Sequence, residues 1–129
     1  MSGIPFPITA IFAALLALML VGISIRVTML RARKKVTLFD GGDEQLGRAI
    51  RVQGNFIEYV PIALALIGLI EWTGASPGLV YAFGAVLLAA RFAHAWGLYS
   101  NVFKARVIGT STTWFLIAAG AVAVLVRVA

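Results

Sequence analysis

No cysteine occurs in the 129 residues. That excludes disulfides, thiolate metal sites and a nucleophilic protein thiol, and it leaves the redox compartment unreadable. Charge is scarce as well: 12% of residues are charged, against about 25% in an ordinary soluble domain. There is one histidine, and the five carboxylates show no metal-ligand spacing. What fills the chain is apolar: 61% of residues are hydrophobic and the mean hydropathy is +0.98. A core of this size cannot hide so much apolar surface from water, so the solvent is a bilayer. The formal charge of +6 comes from bases that flank apolar stretches instead of forming one stripe. That pattern fits anionic headgroups or an anionic ligand and speaks against nucleic acid.

The segment from Ile4 to Ile25 is apolar or small throughout and long enough to span about 30 Å of hydrocarbon. No base precedes it and it is too long for a signal-peptide core, so it is expected to be a retained first helix, about 4–33. Its end is marked by Arg26, Arg31, Arg33, Lys34 and Lys35. Thr37 to Asp43 reads as a loop turning at Gly41-Gly42, with Asp40 or Asp43 capping the next helix. That helix is expected over about 44–72, with a kink just beyond Glu58 where Pro61 removes a backbone bond. Pro77 suits the first turn of a third helix over about 77–97. Tyr99 to Arg106 reads as the next connection, and a fourth helix is expected over about 107–127. Its early hydroxyls, Thr110 to Thr113, are expected to satisfy backbone groups.

The stretch from Arg48 to Pro61 carries charge into an apolar helix. Arg51, Asn55 and Glu58 are spaced four and three apart, which places them on one helical face. Ionisable groups at membrane depth face the protein interior or a water-filled cavity and are functional candidates. The competing interpretation is an Arg51–Glu58 ion pair that only joins helices. Arg91 and His94 share a face of the third helix, where His94 is either a satisfied interior histidine or a ligand contact. With four spans both termini lie on one side. The basic first and third connections then lie in the cytoplasm by the positive-inside rule. Arg31, Arg51, His94 and Arg106 converge at that face, with Glu58 slightly deeper: an anion site with one acidic contact, bordered by lipid.

The run Arg51-Val-Gln-Gly-Asn-Phe-Ile-Glu-Tyr-Val-Pro61 resembles the signature of the MAPEG family, the membrane-associated proteins in eicosanoid and glutathione metabolism. Its Arg-x-x-x-Asn-x-x-Glu-Tyr-x-Pro spacing is the most specific part. Ala90 to His94 resembles the family's third-helix motif, and Arg106 sits where the family places a catalytic arginine. The likeness covers almost the whole chain. It implies an all-α, integral membrane four-helix bundle, left-handed and homotrimeric. The polar face of the second helix needs neighbours, so that helix is expected to line the central contact. The likeness also implies glutathione bound between neighbouring subunits. By that resemblance Arg51, Asn55, Glu58, Tyr59 and His94 would bind glutathione, Arg31 and Gln53 would reach in from the adjacent subunit, and Arg106 would stabilise the thiolate. The chain departs from some members at Leu98, where they have tyrosine, and at Val107, where they have serine. Tyr99 is one step round the helix from Leu98.

Three function classes follow. The first is an enzyme in which glutathione adds to a hydrophobic electrophile or reduces a lipid hydroperoxide. The second is a non-catalytic lipid-binding or scaffolding membrane protein. The third is a small four-helix exporter, which would need a membrane-embedded carboxylate free to exchange protons. Glu58 shares its face with Arg51, which argues against that. Glutathione affinity separates the first class from the third, and turnover separates the first from the second.

Overall fold

The computed structural model describes residues 3–129, which form four α-helices: α1 Pro7–Lys34, α2 Glu44–Trp72, α3 Pro77–Tyr99 and α4 Phe103–Val128. All four are long and apolar enough to cross a membrane. The centre of the bundle is α2, which packs on α1, α3 and α4. Its buried apolar residues are Leu46, Ala49, Val52, Phe56, Val60, Ala63, Ile67 and Ile70. They recur every three or four positions, the period of a helix seam. Outward faces are apolar too: Leu18, Phe115 and Val126 are more than two-thirds exposed, as a lipid-facing surface requires.

The helix boundaries show what the residue pattern missed. α1 begins at Pro7, not near Ile4, because each of the prolines at 5 and 7 pushes the residue before it out of the helical region. Its first N–H groups have no local cap. Glu71, in the last turn of α2, supplies one instead: Ile8 N and Thr9 N donate to its two oxygens at 2.9 and 2.8 Å, and Thr9 Oγ1 donates at 2.6 Å. The Phe6 and Trp72 rings close the same end, 5.5 Å apart.

At the other end, Asp43 is the N-cap of α2, and its Oδ1 accepts from Leu46 N at 2.8 Å. Lys34 Nζ donates to Asp43 Oδ2 at 2.5 Å, tying the end of α1 to the start of α2. The turn between them uses Gly41 and Gly42 at positive φ, 59° and 77°. α2 continues unbroken through Pro61. α4 starts at Phe103, four residues before the expected 107, so Lys104 and Arg106 lie in its first turn and not in the connection. Asn101, with φ 57°, lets the chain reverse within residues 100–102. Close approach does the rest. A Cβ at Gly97 would collide with the backbone of Arg106, and one at Gly109 would lie 2.6 Å from the Ala90 carbonyl and from His94 N. Two glycines thus set the α3–α4 distance.

Candidate functional site

Near the α1–α2 connection, α2, α3 and α4 enclose a lateral cavity of about 370 Å³. Arg51 and Asn55 enter it from α2 and His94 from α3. Phe103, Arg106, Val107, Thr110, Ser111 and Trp114 enter from α4. Four residues singled out in the sequence, Arg51, Asn55, His94 and Arg106, therefore meet in one space although they come from three helices.

The charged groups at this cavity are not equivalent. Arg51 binds Glu58 in a two-pronged pair, Nη2–Oε2 at 2.7 Å and Nη1–Oε1 at 3.2 Å, and both side chains remain 47% exposed. The pair of the competing interpretation thus exists, but it lies open at the cavity rim and not between helices. A half-exposed pair contributes little to stability and can be exchanged for other partners. Arg106 is exposed, and its side chain makes no ion pair or hydrogen bond among the described residues. His94 is buried at 3% exposure, and its ring lines the cavity. Tyr59 is not among the lining residues, but its ring lies edge-on to that of Trp114, which is, at 6.3 Å.

Asn55 faces two ways. Its Oδ1 accepts from Arg91 Nη1 at 2.6 Å. Arg91, on α3, is 1% exposed, and its Nη2 donates to Thr113 Oγ1 at 2.8 Å and to the Gly109 carbonyl at 3.3 Å. With the amide oxygen taken, Asn55 presents its two N–H donors to the cavity.

Two expected site residues are engaged elsewhere in the chain. Arg31 donates to the Phe39 carbonyl at 2.7 Å and fastens its own loop. Gln53 Nε2 donates to Ser24 Oγ at 3.0 Å, joining α2 to α1. Neither lines the cavity. Tyr99 does not stand in for Leu98: Leu98 is buried in the core, and Tyr99 turns to α1, its ring under Arg26 at 4.3 Å. Of the early hydroxyls of α4, Thr113 donates to a backbone carbonyl, Gly109 O at 2.8 Å, whereas Thr110 and Ser111 face the cavity. Sequence reasoning passed over Phe103 and Trp114 and gave Thr110 and Ser111 to backbone groups. Phe103, Arg106, Thr110 and Trp114 follow one another at three or four residues per step, a helical stripe that could have marked them.

Four candidate membrane spans, three of which line a cavity that holds two arginines, define a helical membrane protein with a polar cavity among its helices. The comparisons narrow that class. Residues 9–126 match the MAPEG family, and the chain belongs to it. The chain is also similar to the inner membrane protein YecN of Escherichia coli K12. The two are 41% identical over 107 residues, 83% of this chain and 82% of that protein. The YecN of Escherichia coli O6:H1, strain CFT073, matches to the same extent.

Proposed function

We propose that the protein is a membrane glutathione-dependent transferase or peroxidase acting on hydrophobic electrophiles or lipid hydroperoxides. The observation that carries this proposal is the single cavity in which Arg51, Asn55, His94 and Arg106 meet, with Glu58 at its rim. Its volume of about 370 Å³ lies in the range of small-molecule sites. The donor set suits glutathione. Arg51 has the planar fork that matches a carboxylate, Glu58 complements an ammonium, and the amide donors of Asn55 suit a carbonyl or carboxylate. The half-exposed Arg51–Glu58 pair can open to take both charged groups of one ligand. When bound, glutathione supplies a thiol whose thiolate form is the nucleophile. A guanidinium has N–H donors and no acceptor, so Arg106 does not act as the base. As a cation beside the sulfur it favours the thiolate. Trp114 and Phe103 give the cavity an apolar wall toward the bilayer.

A second reading, lipid binding without turnover, rests on Val107 and Leu98. Val107 brings no hydroxyl next to Arg106, and Leu98 is withdrawn into the core. One experiment separates the two. Detergent-purified protein is assayed on a panel of electrophiles and hydroperoxides with and without glutathione, beside Arg106→Ala and Glu58→Gln. Arg106→Ala should keep glutathione affinity within about tenfold while the thiolate absorbance disappears and turnover falls further than binding. Glu58→Gln should do the reverse, weakening binding first. Glutathione binding without turnover on any substrate would favour the second reading. A thiolate signal that survives Arg106→Ala would remove Arg106 from its role.

The location follows from charge. The basic α1–α2 connection and the start of α4 should face the cytoplasm, with both termini opposite, and the likeness to an inner membrane protein supports a bacterial inner membrane. The chain lacks cysteine, so single cysteines at Lys35 and Ala129 report sidedness without background. Labelling of Lys35→Cys by an impermeant reagent from the periplasmic side would reverse the assignment.

A further inference from the structure

A second cavity system lies on the α1 side of α3, away from the candidate site. Between α1 and α3 runs a groove of about 510 Å³, walled by Leu15, Leu18, Gly22, Phe92 and Trp96. Its wall is almost wholly apolar, and Leu18, Phe92 and Trp96 are each more than half exposed. At the end nearest the α1–α2 connection the groove reaches Arg26 and Tyr99. Beyond those two residues lies a smaller polar cavity of about 200 Å³, lined by Arg26, Glu44, Gln45, Arg48 and Tyr99. Arg26 and Tyr99 belong to both spaces, so an apolar channel and a polar chamber share one threshold.

The threshold has unused binding capacity. Arg26 lies over the Tyr99 ring, 4.3 Å from its centroid, which holds the guanidinium in place. It makes no ion pair among the described residues. The Tyr99 hydroxyl is buried with no hydrogen-bond partner. In the chamber Arg48 is engaged with Glu44 at 3.2 Å, so two arginines and one carboxylate leave one net positive charge. A buried hydroxyl and an unpaired guanidinium at the mouth of an apolar groove call for a ligand with an anionic oxygen-rich head and a hydrocarbon tail.

We propose that this bipartite site binds an anionic phospholipid of the surrounding bilayer. The acyl chain lies along the α1–α3 groove past Gly22, and the phosphate sits at Arg26 within reach of the Tyr99 hydroxyl. The bilayer is the source because the groove opens sideways through exposed apolar side chains and its charged end lies at the same end of the helices as the other bases. The site does not depend on the glutathione-dependent activity, since it shares no residue with the cavity between α2, α3 and α4.

The test uses Trp96 as the reporter, in a background carrying Trp72→Phe and Trp114→Phe. The protein is placed in nanodiscs of phosphatidylcholine, and phosphatidylglycerol or phosphatidylcholine with brominated acyl chains is titrated in. Brominated phosphatidylglycerol should quench Trp96 with about fivefold higher affinity than its phosphatidylcholine counterpart, the factor expected of one base near a membrane surface. Arg26→Gln should bring that ratio to near one, and Arg26→Lys should retain most of it. Gly22→Leu should lower quenching by both lipids. A leucine is a good helix former, and a Cβ at Gly22 meets no atom within 4 Å, so the side chain fills the groove without a clash. Equal quenching by the two lipids in the parent would mean ordinary annular contact and overturn the proposal. So would a ratio that survives Arg26→Gln. Loss of the native oligomer in Gly22→Leu would show that a second copy of the chain covers the groove, and would overturn it as well.

Discussion

Arg91 is 1% exposed and has no carboxylate beside it. Its charge is held by neutral acceptors from two other helices, Asn55 Oδ1, Thr113 Oγ1 and the Gly109 carbonyl. Such a group is costly to bury, and it persists because removing it would strand its partners. Its position also determines what Asn55 offers the cavity. Arg91→Leu should lower stability by about 1–3 kcal/mol, the cost of leaving a buried acceptor unmade. It should also free Asn55 to rotate its amide. Arg91→Lys should not restore the wild type, because one ammonium cannot serve three acceptors in the geometry of a guanidinium fork. Thermal unfolding in detergent, with glutathione affinity measured alongside, checks both. Full stability in Arg91→Leu would mean that the buried network is dispensable. The single histidine shows the same coupling: His94 faces the cavity because Gly109 lets α4 approach α3 at that level.

Among the elements, the α1–α2 connection is held by one carboxylate with two duties. Asp43 caps α2 through Leu46 N and receives Lys34 from α1. The Lys34 hydrogen bond, followed by the capping bond to Leu46, holds the Asp43 carboxyl below its ordinary value of 3.8. A lowered folded-state pKa means that the ionised form stabilises the fold. That stabilisation is complete above the unfolded value near 3.8 and is lost as pH falls through the lower folded-state value. The protection factors of Leu46 and its neighbouring amides, with the intrinsic pH dependence of exchange divided out, should therefore stay constant from neutral pH down to about 4.5 and fall below about 3.8. In Asp43→Asn, which keeps a capping oxygen but no charge, the acid step should vanish. An unchanged acid step in that variant would assign it to another carboxylate. The far end is tied differently. Glu71 caps α1 from the last turn of α2. The two helices are thus joined by a carboxylate at each end, one read easily from sequence and one not.

At the scale of the whole molecule, the chain by itself leaves much unsatisfied. The Arg106 side chain has no partner among the described residues, the Arg51–Glu58 pair is half exposed, and broad apolar faces point outward. The cavity is open at its side, and Arg31 and Gln53 do not reach it from within the same subunit. A cyclic homotrimer with α2 at its centre would let those two residues complete a neighbour's cavity, as the family resemblance implies. Native mass spectrometry in mild detergent should show a trimer as the main species. Monomers and dimers alone would sink that arrangement, and would leave Arg31 and Gln53 with purely structural roles.

The apolar spans, the loop at Gly41-Gly42, an aspartate cap at 40 or 43 and the polar face of α2 were legible in the residues alone, and the structure chose Asp43. Each depends on local periodicity, on a turn conformation or on hydrophobicity, which neighbours in the chain determine. The family signature was equally local, eleven residues from Arg51 to Pro61. Topology alone placed Arg106 and Arg51 at one membrane face, but only the tertiary structure puts these residues, 55 positions apart and on different helices, into one cavity. It also decided that Asn55 is turned by Arg91, that Thr110 and Ser111 face a cavity, that Tyr99 serves the α1 side, and that Glu71 caps a helix 62 and 63 residues away. The shift in the start of α4 has the same origin. The missing side chains of Gly97 and Gly109 admit the next helix at close range, and no periodicity in the sequence states which backbone will fill that space. Spacing along a helix determines which residues share a face, but only packing between helices determines what that face meets.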